Sequence, residues 1–234
     1  HPDSDSEKKI MVQAEKIKKY GKNKTHNCII GVSGGIDSSY LVDIAVEKMG
    51  LNPLLYHVDG GWNSQQAVSN IESMVDYYNL DLHTDVINWK EMQDLQLSFF
   101  KSQVPTIDTP QDHAFFSSLY NFTTKKKFKY VLTGANNSTE CIREPLEWTY
   151  HTSDLRQLLD IHKKFGKRPL KTFPTADILK FKIYHRFVKG LKVVKPLNYF
   201  PYEMKAAVKT LSEKYGWMPY EHKHYESRFT HFYQ

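Results

Sequence analysis

Two kinds of hydrophobic pattern alternate along the chain. Short apolar runs have the length and composition of buried parallel strands, and the longer segments between them repeat apolar residues every three or four positions, as amphipathic helices do. The short runs predict strands at Cys28–Val32, Pro53–Val58, Leu82–Ile87, Lys129–Thr133 and Lys192–Lys195. The longer segments predict helices at 7–20, Ser64–Tyr78, 89–101, 112–127, Leu155–Phe165 and Ile178–Val188, another that ends at Gly50, and a last one that begins at Pro201.

This order of elements indicates the fold class. Strands that alternate with helices are typical of an α/β fold with a doubly wound, mostly parallel sheet. Right-handed crossovers bring the carboxyl ends of the strands to one edge of such a sheet, and ligands bind along that edge. The turns that follow the strands, at Ser33–Ser39, Asp59–Trp62 and Thr133–Glu140, should therefore lie close together.

The same pattern divides the chain into three parts. We expect an N-terminal helix at 1–24, an α/β core at 25–144, and a smaller, mainly helical part at 145–234 that binds substrate or a partner. The segment at 145–200 is less regular and more basic than the core. The segment His222–Phe229 is dense in side chains that commonly bind ligands, so we expect the natural protein to continue past this sequence.

Composition excludes several classes of protein. No run approaches the roughly 20 apolar residues that a membrane-spanning helix needs, and the N-terminus has no apolar signal core. Two cysteines, Cys28 and Cys141, are too few for a disulfide framework or a zinc cage. We therefore expect a cytoplasmic protein without membrane contact. A net charge of +6 favours an anionic partner such as a nucleotide or sugar nucleotide, although a solvated lysine-rich surface has the same balance.

The segment Ser33–Ser39, which reads Ser-Gly-Gly-Ile-Asp-Ser-Ser, joins the first predicted strand to a helix. Its glycines allow the backbone to turn sharply and to approach an anion closely. N–H groups of the helix that follows would point at phosphate oxygens. Asp37 would repel a phosphate unless it holds Mg²⁺ that the phosphate also binds. The alternative is a glycine-rich turn in which Asp37 or Ser38 only caps the helix. The segment fits neither the Walker pattern nor the dinucleotide-binding pattern.

This string resembles the loop of the PP-loop ATP pyrophosphatases, a superfamily that includes NAD synthetases and tRNA-modifying enzymes. The resemblance implies an adenine nucleotide α-hydrolase-like core in which Ser33–Ser39 binds the pyrophosphate of ATP, with ATP and Mg²⁺ as cofactors. It also implies adenine contacts at His57–Asp59. Two weaker matches are the glycine turn Thr133–Asn136 and the basic-Pro-Leu element Lys195–Leu197.

Further stretches narrow the resemblance to the N-acetyl sugar amidotransferase family of lipopolysaccharide O-antigen and pseudaminic or legionaminic acid biosynthesis. They are Asp108–His113, Thr133–Glu140, Gly216-Trp217 and Lys223–Thr230. The family implies ATP-dependent conversion of the N-acetyl group of a nucleotide-linked diacetamido sugar into an acetamidino group. It also implies that a separate glutaminase subunit, accompanied by a cyclase-like barrel subunit, supplies the ammonia.

Two features of that family are absent from this sequence. Family members usually begin with paired Cys-x-x-Cys elements that resemble a zinc ribbon, and they usually continue past the Arg-Phe-Thr stretch at 228–230. Either the natural protein extends beyond both ends of this sequence, or its ends are disordered, or it is a divergent member of the family. Zinc would bind only in an N-terminal segment that this sequence lacks.

The implied reaction assigns roles to residues. The amide oxygen attacks the α-phosphorus of ATP and releases PPi, and ammonia then displaces AMP from the adenylated imidate, so the site must disperse phosphate charge and exclude water.

The candidate catalytic residues are Asp37, which is also the candidate metal ligand, Ser38, Asp112, Glu140 and Lys195. The candidate nucleotide-binding residues are Ser33, Gly34, Gly35, Asp37, Ser38, Ser39, His57, Val58, Asp59, Gly134 and Asn136. The candidate substrate-binding residues are His113, Lys223 and Arg228. For the acidic and histidine candidates, a surface salt bridge or a helix cap is the alternative.

Two other functions fit parts of the sequence. A PP-loop enzyme that makes lysidine or thiolated bases in tRNA would use the basic runs Lys125–Lys129 and Lys163–Arg168 to bind phosphates. The sequence lacks the extra cysteine pairs of many thiolases and an appended RNA-binding domain, so we do not expect a nucleic acid partner. A non-catalytic nucleotide-binding module is the third alternative, and the intact Ser33–Ser39 segment argues against it. The 15 tyrosines suit a ligand pocket or a subunit interface, which leaves a homo-oligomer open.

Overall fold

A computed structural model describes residues 4–139, 153–221 and 225–233. The strands within these ranges are β1 (Cys28–Gly31), β2 (Pro53–Asp59), β3 (Leu82–Val86), β4 (Tyr130–Leu132) and β5 (Lys192–Val194). They form one parallel sheet in the order β3-β2-β1-β4-β5. The predicted α/β class with a parallel sheet is confirmed. β5, which comes from the C-terminal part, pairs with β4 and forms one edge of the same sheet.

Helices connect the strands and cover both faces of the sheet. The α-helices are α1 (Ser4–Gly21), α2 (Ile36–Asp43), α3 (Gln65–Tyr78), α4 (Trp89–Ser102), α5 (Thr109–Lys125), α6 (Leu155–Phe165), α7 (Met204–Tyr215) and α8 (Arg228–Tyr233). The other helical segments are π-helical at Ile44–Lys48 and Lys180–Val188 and 3₁₀ at Pro196–Asn198. None of the described helices has both the length and the apolar character that a membrane crossing requires.

Two helices at the C-terminal end differ from the sequence prediction. The last long helix, α7, begins at Met204 rather than at Pro201, because Glu203 still has extended backbone angles (φ −124°, ψ 125°). The sequence pattern predicted no helix at α8 (Arg228–Tyr233). Its six residues span less than two turns, which is too short for a helical repeat of apolar positions to be visible.

Successive residues of β1 face opposite sides of the sheet and enter two separate cores. Cys28 and Ile30 pack with Ile17 of α1 and with apolar residues of α2 and α3. Ile29 lies on the other face, where it packs with apolar residues of α4, α5 and α6. Cys28 is fully buried, and this burial raises the pKa of its thiol. The centre of the sheet is thus buried on both faces, so a ligand can reach the sheet at its carboxyl edge.

Two buried carboxylates of α4 anchor the segment that follows α6. Glu91 accepts hydrogen bonds from the backbone N–H groups of Thr172 (3.0 Å) and Phe173 (2.7 Å). Asp94 accepts equivalent hydrogen bonds from the N–H groups at 167–168. Burial alone would raise the pKa of both carboxyls. The hydrogen bonds outweigh burial, so the pKa of each carboxyl is lowered.

We expect Glu91→Gln to lower the free energy of unfolding at neutral pH by about 1–3 kcal/mol, because a charged acceptor of several hydrogen bonds is lost from a buried site. The pKa of Glu91 is lower in the folded chain than in the unfolded chain. Its contribution is therefore fully present above the unfolded pKa of about 4.3 and is lost as the pH falls through the folded pKa.

The stability difference between the variant and the unchanged protein should accordingly shrink as the pH falls below about 4.3. Urea unfolding at a series of pH values measures it. Glu72→Gln, at an exposed position of α3, is the control and should change stability little at any pH. A difference that stays constant with pH would contradict the role given to the Glu91 carboxylate.

Candidate active site

The Ser-Gly-Gly turn between β1 and α2 lies directly against the backbone of α3. Gly34 has a positive φ of 81°, and a Cβ at this position would lie 2.5 Å from the carbonyl oxygen of Ala67. Only glycine allows such an approach of two backbones. The carbonyl oxygen of Gly34 accepts hydrogen bonds from the Tyr220 hydroxyl (3.1 Å) and from Asn70 Nδ2 (3.4 Å). Burial raises the pKa of Tyr220 to about 12, so this hydroxyl keeps its proton at neutral pH.

The N-terminus of α2 has the features of an anion site. Gly35 precedes the helix and has no side chain with which to cap it. A helix without a side-chain cap offers its first-turn N–H groups to a ligand, at an end that favours negative charge. Ser33 Oγ and Ser38 Oγ lie 3.3 Å apart at the same turn and add two hydroxyl groups.

The carboxylate of Asp37 is held by groups from two other parts of the chain. It accepts hydrogen bonds from Asn136 Nδ2 (3.3 Å), Thr139 Oγ1 (3.2 Å) and the Tyr202 hydroxyl. Within the turn after β4, Asn136 Oδ1 accepts a hydrogen bond from the backbone N–H of Thr139 (2.9 Å). This turn touches the loop at Gly134, where a Cβ would lie 2.9 Å from the carbonyl carbon of Asp37. The turn after β4 therefore sets the position of Asp37.

A cavity of about 140 Å³ adjoins the loop, and we call it the loop cavity. One wall is the loop itself, with Ser33, Gly35, Asp37 and Ser38. The facing wall comes from α7 and the residues that follow it, with Met204, Val208, Trp217, Tyr220, Glu221 and Glu226. The hydroxyls, the Asp37 carboxylate and the N-terminus of α2 thus share one small space.

A larger cavity of about 450 Å³ lies at the carboxyl ends of β1, β2 and β4, and we call it the edge cavity. Its apolar lining residues include Val58, Phe115, Leu119 and Leu132, and its polar lining residues include His57, Asn63, Asp108, Gln111 and Asp112. It shares Ser33 and Glu226 with the loop cavity. This volume and this mixed lining are typical of sites for small organic ligands.

Hydrogen bonds at both ring nitrogens position His57 in the wall of the edge cavity. Nδ1 lies 2.9 Å from the carbonyl oxygen of Val32, which can only accept, so Nδ1 donates. Nε2 therefore accepts from Asn63 Nδ2, at 2.8 Å. Asn63 Nδ2 also donates to Asp59 Oδ1 (3.1 Å), which accepts the N–H of Gly61 (2.8 Å). This network fixes the turn after β2.

The segment at 225–230 closes the site from the C-terminal side. Its backbone contacts with the turn after β2 are the antiparallel bridge between Asn63 and Ser227, the hydrogen bond from Ser64 N–H to the Glu226 carbonyl oxygen (2.9 Å), and the one from Arg228 N–H to the Trp62 carbonyl oxygen (2.8 Å). These contacts place the carboxylate of Glu226 on the loop, because a Cβ on Gly35 would lie 3.0 Å from Glu226 Oε1.

Asp and Glu, but neither Lys nor Arg, are among the described residues that line the two cavities. The described residues that line them include Asp37, Asp108, Asp112, Glu221 and Glu226, and none of these described lining residues is Lys or Arg. Across the ranges that the structure describes, no group of three or more His, Cys, Asp or Glu side chains is arranged to hold a metal ion. The electrostatics therefore favour a cation, so an anionic ligand would need a cation bound to it.

The structure brings together most of the residues that the sequence predicted around the loop. Those that line the loop cavity are Ser33, Gly35, Asp37 and Ser38, and those that line the edge cavity are Ser33, His57, Val58 and Asp112. Gly34, Gly134 and Asn136 support the loop from behind through the contacts described above. Ser39 faces the core instead, where it is buried and accepts a hydrogen bond from Trp217 Nε1 (3.2 Å).

The other predicted residues that the structure describes do not line these two cavities. Lys195 and His113 line a third cavity of about 1360 Å³ beside β5, in which His113 Nε2 accepts the N–H of Ala176 (3.3 Å). Asp59 shapes the turn after β2, and the Arg228 guanidinium donates to the carbonyl oxygen of Gly61 in that turn (3.2 Å). The predicted residues Glu140 and Lys223 lie outside the described residues.

Sequence reasoning did not single out three residues that contact the loop or Asp37. Thr139 and Glu226 belong to the stretches Thr133–Glu140 and Lys223–Thr230, so the same motifs could have nominated them. Tyr202, whose hydroxyl donates to Asp37, carries no such signal. Its position depends on how α7 packs on α2, and no local pattern distinguishes it from the other tyrosines.

We expect Gly134→Ala to destabilise the folded chain by about 1–3 kcal/mol, because its methyl group would overlap backbone atoms that cannot rotate away. Gly60→Ala is the matched control, since the nearest atoms to a Cβ there are side-chain atoms at 3.5 Å, an ordinary contact distance. Urea unfolding of both variants gives the comparison. Equal stability would show that the turn after β4 does not need to touch the loop.

No protein-family model matches the chain. A stretch of 112 residues is 27% identical to an uncharacterized protein of Methanocaldococcus jannaschii, and it spans 47% of this chain but only 38% of that relative's length.

Among solved structures, the chain is similar to a U34-tRNA thiolase from Methanococcus maripaludis, with a TM-score of 0.44 and 17% identity over 94% of this chain and 69% of that one. It is also similar to an NH3-dependent NAD synthetase from Campylobacter jejuni, with a TM-score of 0.42 and 16% identity over 93% of this chain and 99% of that one. Likeness at these scores does not bear on function, which has to be inferred from the residues of the site.

Proposed function

We propose that this chain binds ATP across the loop cavity and the edge cavity, with the phosphates at the N-terminus of α2 and the adenosine in the edge cavity. The observation that carries this proposal is the Ser33–Ser38 loop, which brings an uncapped helix N-terminus and two hydroxyls to one small space. The edge cavity continues from that space through Ser33. Its 450 Å³ is large enough for a nucleoside, and Val58 and Phe115 offer the base an apolar surface.

The residues present fit a Mg²⁺ ion that accompanies ATP. Carboxylate oxygens are the side-chain ligands that Mg²⁺ prefers, and Asp37 is the carboxylate of the loop. Asn136, Thr139 and Tyr202 would keep Asp37 in place for this role. When bound, the ion would neutralise charge on the phosphates. The carboxylates of the described lining support a bound cation, which ATP would bring with it.

We further propose that ATP is cleaved to AMP and PPi while it activates an amide for attack by ammonia. The amide oxygen forms a bond to the α-phosphorus, and PPi leaves. Ammonia then adds to the carbon of the adenylated imidate, and AMP leaves with the electrons of the broken C–O bond. The helix N-terminus and the hydroxyls of Ser33 and Ser38 would stabilise the charge that develops on the departing PPi.

The acceptor in this proposal is the N-acetyl group of a nucleotide-linked diacetamido sugar, which becomes an acetamidino group. The cavity beside β5 supports this choice, because its lining combines the cations of Arg186, Lys192 and Lys195 with the rings of Phe116 and Tyr120. Such a lining suits the phosphates and the base of a sugar nucleotide. A partner glutaminase with a cyclase-like barrel subunit would supply the ammonia in the cytoplasm.

A comparison of acceptors tests this function. The chain is incubated with ATP, Mg²⁺ and ammonium chloride, and UDP-linked diacetamido sugars, CMP-linked ones and tRNA are added in turn. We expect AMP and PPi release to require a sugar nucleotide, with the acetamido oxygen replaced by NH in the product. Release that requires tRNA would instead favour a tRNA-modifying enzyme, and no AMP under any condition would favour a nucleotide-binding module.

We expect Asp37→Asn to reduce AMP formation by on the order of 100-fold, because the variant loses the negative charge that would hold the cation beside the phosphates. The amide keeps an oxygen that can accept hydrogen bonds from Asn136 and Tyr202, so the fold should persist. Circular dichroism and urea unfolding check the fold. Glu72→Gln on α3 is the charge-matched control and should leave AMP formation unchanged. Normal turnover by Asp37→Asn would refute the metal role.

A further inference from the structure

Glu226 lies where the loop cavity meets the edge cavity. Among the described residues, Ser33 and Glu226 are the two that line both. A Cβ built on Gly35 would lie 3.0 Å from Glu226 Oε1 and 3.2 Å from its Cδ, so the carboxylate packs on the loop glycine itself. If ATP binds as proposed above, this carboxylate lies where the phosphates join the adenosine, which is the place of the α-phosphorus that the acceptor attacks.

The backbone around Glu226 is tied to regular structure rather than to a free loop. Its carbonyl oxygen accepts the N–H of Ser64, whose own hydroxyl oxygen caps α3 by accepting the N–H of Ala67 (3.1 Å). The next residue, Ser227, is buried, and Gln111 Nε2 of α5 lies 3.3 Å from its hydroxyl. Contacts on both sides therefore give the Glu226 carboxylate a defined place, which a reacting group needs.

A carboxylate at this place is unfavourable for a site that only binds ATP, because like charges repel. It becomes useful when the reaction also needs a cation at the same point. The nucleophile of the proposed reaction is such a cation, because ammonium predominates over ammonia at neutral pH. Ammonium cannot attack a carbon until it has lost a proton and regained a lone pair.

Other titratable groups that face the two cavities have different tasks or positions. Asp37 accepts hydrogen bonds from Asn136, Thr139 and Tyr202. His57 uses both ring nitrogens in hydrogen bonds, and the Tyr220 hydroxyl donates to the carbonyl oxygen of Gly34. Glu221 is exposed, and Asp108 and Asp112 line only the edge cavity, from the α5 side. Glu226 is the carboxylate that reaches both spaces. It is therefore placed to act between the activated acceptor and the incoming nitrogen.

We propose that Glu226 binds the ammonium ion that serves as nucleophile and accepts the proton that ammonium must lose. One N–H bond of ammonium breaks, and the proton moves to the Glu226 carboxylate. The freed lone pair forms the C–N bond to the imidate carbon, and the C–O bond to AMP then breaks with its electrons leaving on AMP. The product is an amidinium, and the proton on Glu226 returns to solvent. This role rests on the amide-activating function proposed above.

Glu226→Gln tests the role, because it keeps the size of the side chain and removes its charge. We expect the KM for ammonium to rise about 10- to 100-fold, since a charge-assisted hydrogen bond is lost. The KM for ATP should not rise, because the variant removes a charge that repels the phosphates. Glu226→Asp should restore part of the ammonium affinity. Glu213→Gln, at an exposed position on α7, is the charge-matched control and should behave like the unchanged protein.

The pH dependence separates this role from a merely structural one. As the pH rises towards the pKa of ammonium, free ammonia replaces ammonium and no longer needs a proton acceptor. The rate difference between Glu226→Gln and the unchanged protein should therefore narrow with rising pH. A difference that stays constant across the pH range would overturn the proposal, because a distorted site loses activity at every pH.

Two further measurements keep this proposal distinct from the proposed function. Exchange of PPi into ATP with the acceptor present and ammonium absent reports activation alone, and Glu226→Gln should preserve it. No exchange in the unchanged protein would refute the amide-activating function, whereas exchange with an unaltered ammonium KM in the variant would refute only the role of Glu226.

Calorimetric titration of ammonium chloride into the chain with a non-hydrolysable ATP analogue and Mg²⁺ needs no acceptor. Potassium chloride is the control, and equal ammonium binding by Glu226→Gln would also overturn the role.

Discussion

Direct contacts between backbones, with no side chain between them, hold the candidate active site together. Gly34 lies on the carbonyl group of Ala67, and Gly134 lies on the peptide that joins Asp37 to Ser38. Neither position has room for a methyl group. The loop after β1, the start of α3 and the turn after β4 can therefore take only one relative position. These backbone contacts therefore also set the positions of the Asp37 carboxylate and of the N-terminus of α2, and with them the shape of the loop cavity.

Charge gives the site its second constraint. A helix N-terminus attracts anions, whereas the carboxylates that surround it repel them, so neither preference alone describes the site. The two are reconciled when a polyanion and a cation enter together. The described lining of both cavities is acidic although the whole chain has a net charge of +6. The excess of lysine and arginine lies elsewhere, in part around the cavity beside β5.

The sequence predicted the strands and the loop well because both depend on local signals. Short apolar runs bounded by glycine turns located β1 to β5, and the Ser-Gly-Gly-Ile-Asp-Ser string located the loop that forms one wall of the loop cavity. Predictions were weaker where the rotation of a helix decides which way a side chain points. Ser38 and Ser39 are neighbours, yet the turn of about 100° between successive helical residues puts one in the cavity and the other in the core. In the same way, Asp112 and His113 on α5 line two different cavities. Tyr202 reaches Asp37 from a distant part of the chain, which no local pattern encodes.

The contact between Tyr220 and Gly34 has a consequence for how the protein is made. The two residues are 186 positions apart, and Trp217 and Ser39 are 178 apart. During synthesis the loop leaves the ribosome long before the groups that fix it. A nascent chain could form much of the sheet while its loop still lacks these partners. The loop would then gain these contacts only after the segment at 217–220 has been made, so a chain cut before that segment would lack them.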